Sequence, residues 1–343
     1  MIKKLALSLV SLLVAFLGAE LLLRVAGAAP EVSIIRKGRF QLSANPKIGY
    51  EPVPSVHYEG TDLSFYDYQG ASNSLGYRDT EHTLEKPPGV YRIVVLGDSI
   101  AAGLKLQKYE RTFPPLLEQT LRRAGVKAEV LNFAVSGYNT QQEVETLKDK
   151  ALRYRPNVVV VAYSLTDRER LDGDILKTLL EEEKSKGVGV GTLYAHPALL
   201  HSALYRFLRF RVLAPRLPAA AADAEQQKQI DLVSGDTVAE YFGELSRLSK
   251  ENGFQVVIAV FPRLVHNFHA YNYGDQHEYV AALSAKYGFH HLDLLEPFAH
   301  CREASPNKPL GADSYHPAPL GHRCAAEAMA QTILQVLRPL MVK

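Results

Sequence analysis

The sequence carries only two cysteines in 343 residues, Cys301 and Cys324. At most one disulfide is therefore available, and the alternative is two separate free thiols. Charge of either sign is nearly absent as a net quantity. Lys and Arg number 39, Asp and Glu 37, and the balance is +2. There is thus no global sign bias, and nothing resembles a nucleic-acid footprint, which needs a clustered basic face. No P-loop, GxGxxG, HExxH or EF-hand pattern occurs, so the nucleotide, zinc-protease and calcium-loop readings have no support. There is no internal repeat. His266, His269, His290 and His291 have no carboxylates at metal-ligand spacing, so neither a metal nor another cofactor is expected. What remains is 47% hydrophobic and 22% charged. This suits one large globular domain, or one with additions, with ample residues for a core.

One long apolar run stands out, at residues 5–23, interrupted only by Glu20. Lys3 and Lys4 precede it and Arg24 follows. A single membrane span needs ~20 apolar residues. The lysines keep the N-terminus cytoplasmic, which places the body on the far side of the membrane. Two readings stay open, an uncleaved anchor and a secretory signal, since Ala26-Gly27-Ala28 has the form of a cleavage site. The run's length and Arg24 favour the anchor. Glu20 is costly in lipid unless it sits near the interface.

The chain then divides into three stretches: the anchor or signal at 1–28, an irregular linker or cap at 29–90, and the main domain at 91–343. In the second, "NSLGYRD" (73–79) reads as a tight turn. From Tyr91 strand and helix alternate. Strands are expected at 92–97, 128–135, 157–164, 254–261 and 290–298, and helices at 112–124, 140–154, 236–253, 277–288 and from Ala318 onward. Such alternation predicts an α/β fold, a three-layer α/β/α sandwich around a five-stranded parallel sheet. An insertion at 167–235 interrupts it. Within this, 174–187 reads as a solvated helix. The stretch at 196–217, with Arg206, Arg209, Arg211 and Arg216, is a lid, a membrane-surface helix or an amphipathic helix packed on the body. Residues 218–227 read as a flexible link.

Ligands in this fold class bind beyond the C-terminal ends of the strands. Ser99, in "VLGDSIAAG", lies just past one such end, in a turn that Gly97 keeps uncrowded. Its N–H opens the next helix, where donors face anions. Taken alone, the Gly-Asp-Ser turn also reads as a helix N-cap. "GADSYHPAPLGH" places Asp313 three residues before His316. The carboxylate can hold one imidazole nitrogen and leave the other to take a serine proton. The competing reading is a helix cap with an incidental histidine. Gly137, after the second strand, offers an open backbone N–H. "YSLTD" follows the third strand, and its Asp167 either orients that loop or caps a helix. His322 is expected on the surface of the closing helix.

The order "GDSIAAG", "NFAVSGYN", "YSLTD", "DSYH" resembles the GDSL/SGNH hydrolase family from Tyr91 to the C-terminus. The resemblance implies a flavodoxin-like fold, Ser99 as nucleophile, His316 as base and Asp313 as its partner. It also implies an oxyanion hole from the Ser99 N–H, the Gly137 N–H and an asparagine side chain. Here the third block departs, because Thr166 stands where the asparagine would be. Loss of one oxyanion donor typically costs ~10²–10³ in rate. The leading segment is similar to a membrane-anchored subgroup with an "lGyRd"-like turn, in which Arg78 would brace that turn.

The expected function is an exported serine esterase, facing the periplasm or extracellular side, that cleaves a short-chain or carbohydrate O-acyl ester through an acyl-enzyme. An O-acyltransferase acting on an envelope glycan or lipid, and a catalytically weak scaffold among envelope-assembly partners, are the alternatives. Export would also let Cys301 and Cys324 pair.

Overall fold

The computed structural model describes residues 2–29, 39–59, 69–168, 174–185, 202–213, 224–265 and 267–341. His266 and Arg216 lie outside the described residues. The chain forms two compact units, 1–34 with 181–224, and 35–180 with 225–343.

The first unit holds helix α1 (Ile2–Val25). The side chains of residues 1–3, 5–7 and 9 lie outside the description. Among the described residues no helix is long and apolar enough to cross a membrane. The expected span therefore stands on sequence alone. Around α1, Val10, Leu13, Val14, Leu17, Leu22 and Val25 are all exposed. Glu20, the one acidic break in the run, is fully engaged. Its carboxylate accepts from the Ser202 hydroxyl (2.8 Å) and the N–H groups of Ala203 (2.9 Å) and Leu204 (2.8 Å), and it pairs with Arg24 (2.7 Å). The anion thus satisfies orphan donors at the start of a short helix of the same unit (Ala203–Arg206), which continues as a π-helical stretch, Phe207–Leu213.

The second unit opens with two small antiparallel hairpins, β1 (Phe40–Leu42) with β2 (Tyr50–Pro52) and β3 (His57–Glu59) with β4 (Gln69–Ala71). The main sheet follows: β5 (Tyr91–Gly97), β6 (Ala128–Asn132), β7 (Val158–Ser164), β8 (Gln255–Phe261) and β9 (His290–Asp293). All pairs are parallel, in the order β6-β5-β7-β8-β9. All seven residues of β7 are buried, as a central strand covered on both faces requires.

Helices α2 (Ser99–Ala102), α3 (Phe113–Arg123), α4 (Thr140–Asp149), α5 (Asp174–Ser185), α6 (Ala203–Arg206), α7 (Ala224–Val233), α8 (Val238–Asn252), α9 (Gly274–Tyr287), α10 (Leu295–Ala304) and α11 (Pro319–Met341) complete the order. On one face Ile93, Val95 and Val160 pack with Phe113, Leu117, Leu121, Phe298, Met329 and Ile333, all buried. The other face carries α4, α8 and α9.

Four expectations are corrected. The stretch 174–187 is not simply solvated, because α5 buries Ile175, Leu176 and Leu180. The last strand stops at Asp293, because Asp293 Oδ1 accepts the Leu295 N–H (2.8 Å) and starts a helix whose Phe298 is buried. The stretch 218–227 is not all link, since α7 begins at Ala224. His322 is not on the surface. It is 0% exposed, and its Nδ1 accepts the Phe113 N–H at 3.1 Å. Burial first, then the charges of Arg78 and His316, push its pKa down to about 3.

The cap at 39–56 takes the polar face of α4. Gln142 donates to Ile48 O (2.7 Å) and Gln141 to Lys47 O (3.2 Å), while Asn139 caps α4 and donates to Val233 O (2.8 Å). This explains how a helix rich in Gln and Glu comes to be buried over Thr140–Leu147. Cys301 and Cys324 are joined as a disulfide between α10 and α11.

Candidate active site

Strand β5 delivers Ser99 by a turn with no spare room. A Cβ at Gly97 would lie 2.8 Å from Ala101 Cβ and 3.1 Å from Ala162 Cβ. Asp98 caps α2 by accepting the Ile100 N–H at 2.8 Å. Burial raises the Asp98 pKa, against the opposing Ile100 hydrogen bond and His316 charge. Gly103 ends α2 at φ 74°.

Ser99 Oγ lies 2.9 Å from His316 Nε2. His316 Nδ1 faces both oxygens of Asp313, at 2.8 and 3.0 Å. The carboxylate also accepts the N–H groups of Tyr315 (2.8 Å) and His316 (2.7 Å), with Lys105 Nζ at 3.8 Å. Burial alone would raise the Asp313 pKa, but the His316 hydrogen bond and charge, the backbone donor and Lys105 bring it below the ordinary value. An ionised carboxylate on Nδ1 fixes the tautomer, so that Nε2 is the acceptor for the serine proton. The loop is closed by the Ala312 N–H to His316 O bond (2.8 Å) and a Gly311–Pro317 bridge.

Gly137 and Thr166 sit in the loops after β6 and β7, the two neighbours of β5. Each is half-exposed between buried neighbours, as Ser99 is. Gly137 has φ 82°, a conformation an L side chain rarely adopts, and a Cβ there would lie 2.7 Å from Tyr50 Oη. Tyr50 is pinned: its hydroxyl donates to Ser136 O (2.8 Å) and its carbonyl accepts from Tyr138 (2.6 Å). Thr166 Oγ1 lies 2.8 Å from Ser164 Oγ, where either oxygen can donate. Asp167 is buried. It accepts from Thr140 Oγ1 at 2.8 Å, and its N–H donates to Ser164 O at 3.0 Å, which orients the loop. Burial, with the charge of Asp98, raises the Asp167 pKa well above the ordinary range. Burial does the same for Glu143, facing Asp167 and Asp98.

The residues that sequence reasoning placed only partly are those behind Ser99. Arg78 is 3% exposed and does more than brace its own turn. Its guanidinium donates to four carbonyls beyond Ser99: Ala102 (3.1 Å), Gly103 (2.7 Å), Leu106 (2.7 Å) and Gln107 (2.9 Å). Asn132 ties this support to the sheet. Its Nδ2 donates to Arg78 O (3.2 Å) and Ala101 O (3.3 Å), and its N–H donates to Asp79 Oδ2 (2.8 Å). Tyr109 adds to this support by donating its hydroxyl to Asp79 Oδ1 at 2.7 Å. The signal for this was the Arg-Asp pair of "LGYRD", whose partners lie 24–54 residues further on. Among the described residues no cluster of His, Cys, Asp and Glu could hold a metal ion.

The sequence model of the GDSL-like lipase/acylhydrolase family matches residues 95–324. No curated protein matches the sequence. Among solved structures, the acetyl xylan esterase AlAXEase is 16% identical, with 71% of this chain and 99% of that chain covered at a TM-score of 0.43. A lipase/acylhydrolase from Enterococcus faecalis is 15% identical, with 71% and 95% covered and a TM-score of 0.41. An esterase, EstA, from Pseudoalteromonas sp. is 13% identical, with 72% and 98% covered and a TM-score of 0.39.

Proposed function

The chain belongs to the GDSL-like lipase/acylhydrolase family, and on that premise we propose that it is a serine esterase whose nucleophile is Ser99. The observation that carries the proposal is the continuous array Ser99 Oγ–His316 Nε2 (2.9 Å) and His316 Nδ1–Asp313 Oδ2 (2.8 Å). Ser99 Oγ attacks the ester carbonyl carbon while its proton passes to His316 Nε2. Asp313 stabilises the imidazolium. The carbonyl oxygen, now an oxyanion, is held by the N–H groups of Ser99 and Gly137 and by the Thr166 hydroxyl. Collapse expels the alkoxide, which leaves as the alcohol with the His316 proton. Water then attacks the acyl-enzyme with His316 as base, releasing the acid and restoring Ser99. The substrate is a short-chain or carbohydrate O-acyl ester.

We further propose that α1 tethers the enzyme to a membrane with its body on the non-cytoplasmic side. The exposed apolar side chains around α1 support the tether. The Cys301–Cys324 disulfide fits an oxidising compartment.

The test is hydrolysis of p-nitrophenyl acetate together with labelling by a fluorophosphonate. Both are expected in the native chain and lost in Ser99→Ala. A native protein that neither turns over nor labels overturns the proposal. A glycan acceptor that diverts the acyl group from water would reassign the enzyme as a transferase. Recovery of the chain in a carbonate-washed membrane pellet supports the tether, and recovery in the supernatant overturns it.

A further inference from the structure

A second Asp–His pair lies outside the Ser99 array. Asp293 Oδ2, at the end of β9, is 2.9 Å from Nδ1 of His277 on α9. His277 Nε2 is 2.8 Å from Tyr271 Oη, and Tyr271 Oη accepts the Arg263 N–H at 3.0 Å. His277 is 4% exposed. The geometry assigns the protons. A bare Nδ1 facing Asp293 would set two lone pairs against each other, so Nδ1 carries the hydrogen and donates to the carboxylate. In the neutral ring Nε2 is the acceptor, and the Tyr271 O–H points at it. Burial works against ionised Asp293, but the His277 hydrogen bond and the Leu295 N–H hold its pKa below the ordinary value.

This array ends where the Ser99 site begins. The loop leaving β8 presents two successive N–H groups. That of Arg263 goes to Tyr271, and that of Leu264 goes to Ser314 O at 2.8 Å. The Arg263 guanidinium carbon lies 3.4 Å from the Tyr315 ring centre. Ser314 and Tyr315 are the two residues between Asp313 and His316. The loops meet with no slack, since a Cβ at Gly311 would lie 2.5 Å from Asp313 O and 2.7 Å from Leu264 Cδ1. A tie between α9 and β9 alone would need only Asp293 and His277. The Tyr271 link carries the array on to the loop that supports His316.

We propose that Asp293, His277 and Tyr271 form a positioning relay that fixes the Arg263–Leu264 backbone and thereby holds the Asp313–His316 loop against Ser99. This rests on the reading of Ser99 and His316 as nucleophile and base. None of the three relay residues is hydrogen-bonded to Ser99, Asp313 or His316. They act through Arg263, Leu264, Ser314 and Tyr315. A small displacement of a base is expensive, because misplacement by about 1 Å costs up to ~10²-fold in rate.

The test uses the full chain in detergent, with Tyr271→Phe, His277→Gln and the double variant. Two readouts are taken below the melting temperature. The first is kcat and KM for p-nitrophenyl acetate. The second, which needs no turnover, is the low-field proton resonance of the His316 Nδ1–H, assigned by its loss in Asp313→Asn. In Tyr271→Phe, kcat is expected to fall on the order of tenfold with KM unchanged, and the resonance to broaden. The double variant is expected to be no worse than the worse single, because one chain is cut in both. If Tyr271→Phe fails to fold, His277→Gln carries the same reading. A folded variant with a sharp native resonance and native kcat overturns the relay. So does a kcat loss that is additive in the double variant. A broadened resonance in a protein that hydrolyses no ester supports the relay and overturns the esterase reading.

Discussion

Gly137→Ala is expected to destabilise the protein by about 2–3 kcal/mol, in two separable parts. The first is backbone strain. At φ 82° an alanine sits in the left-handed region, at a cost of roughly 1–2 kcal/mol. The second is collision, because the new Cβ would lie 2.7 Å from Tyr50 Oη. That hydroxyl cannot move without giving up its 2.8 Å bond to Ser136 O, worth about 1 kcal/mol. The ring has little room to swing aside either, since it is buried against the Phe40 and Tyr138 rings, with centroids at 5.5 and 5.3 Å. Tyr50→Phe removes the colliding oxygen and leaves the strain. In that background Gly137→Ala should cost about 1–2 kcal/mol, so the cycle yields a coupling of about 1 kcal/mol. Urea unfolding of the four proteins measures it. Activity on p-nitrophenyl acetate should fall on the order of 10²-fold in Gly137→Ala if the Gly137 N–H faces the oxyanion. An identical cost in both backgrounds would refute the contact between the cap and the loop. Native activity in a folded Gly137→Ala protein would refute the donor.

Four other perturbations follow from the same geometry. Arg78→Lys keeps the charge but cannot serve four carbonyls in two pairs, so a loss of about 2–4 kcal/mol is expected in urea unfolding. A loss under 0.5 kcal/mol would mean that the four bonds contribute little. Thr166→Val should lower kcat by roughly 10–10²-fold and Thr166→Asn should raise it; no change in either removes Thr166 from the oxyanion site. His322 is neutral in the fold, with its pKa at about 3, and charges in the unfolded chain at about 6.5. Stability should therefore be lost as pH falls below 6.5, by about 2 kcal/mol at pH 5, and His322→Asn should flatten that slope. Glu143 runs the other way. Its raised pKa means that stability declines as pH climbs above the ordinary carboxylate range, and Glu143→Gln should reduce the decline seen in thermal scans.

The strands at 92–97, 157–164 and 254–261 were legible because each is a continuous β-branched run between turn signals, and a strand buried on both faces leaves no other pattern. The elements around Asp293 were not, because "HHLDLLEPF" is apolar enough to read as one strand. The break comes from a single carboxylate capping Leu295. Ser99, Asp313 and His316 could be picked out by spacing, because a turn after a strand and a three-residue offset are local features. The placement of Arg78, Asp79 and Asn132 is long-range, and no local period encodes it. His322 was misplaced for the same reason. Its burial depends on the N-terminus of α3, about 209 residues earlier in the chain.

Arg78, with Tyr50 and Asp79, sits before the family-matched stretch that begins at residue 95. The recognisable domain and the mechanically complete one are thus different lengths of chain. A version trimmed to the match would keep Ser99, Gly137, Thr166, Asp313 and His316. It would also leave the carbonyls of Ala102, Gly103, Leu106 and Gln107 without their shared donor and the Gly137 loop without Tyr50. The second unit, which runs from residue 35 to 180 and from 225 to 343, holds both the matched residues and these supports. Homologues aligned only over the matched stretch will hide the variation most able to tune Ser99.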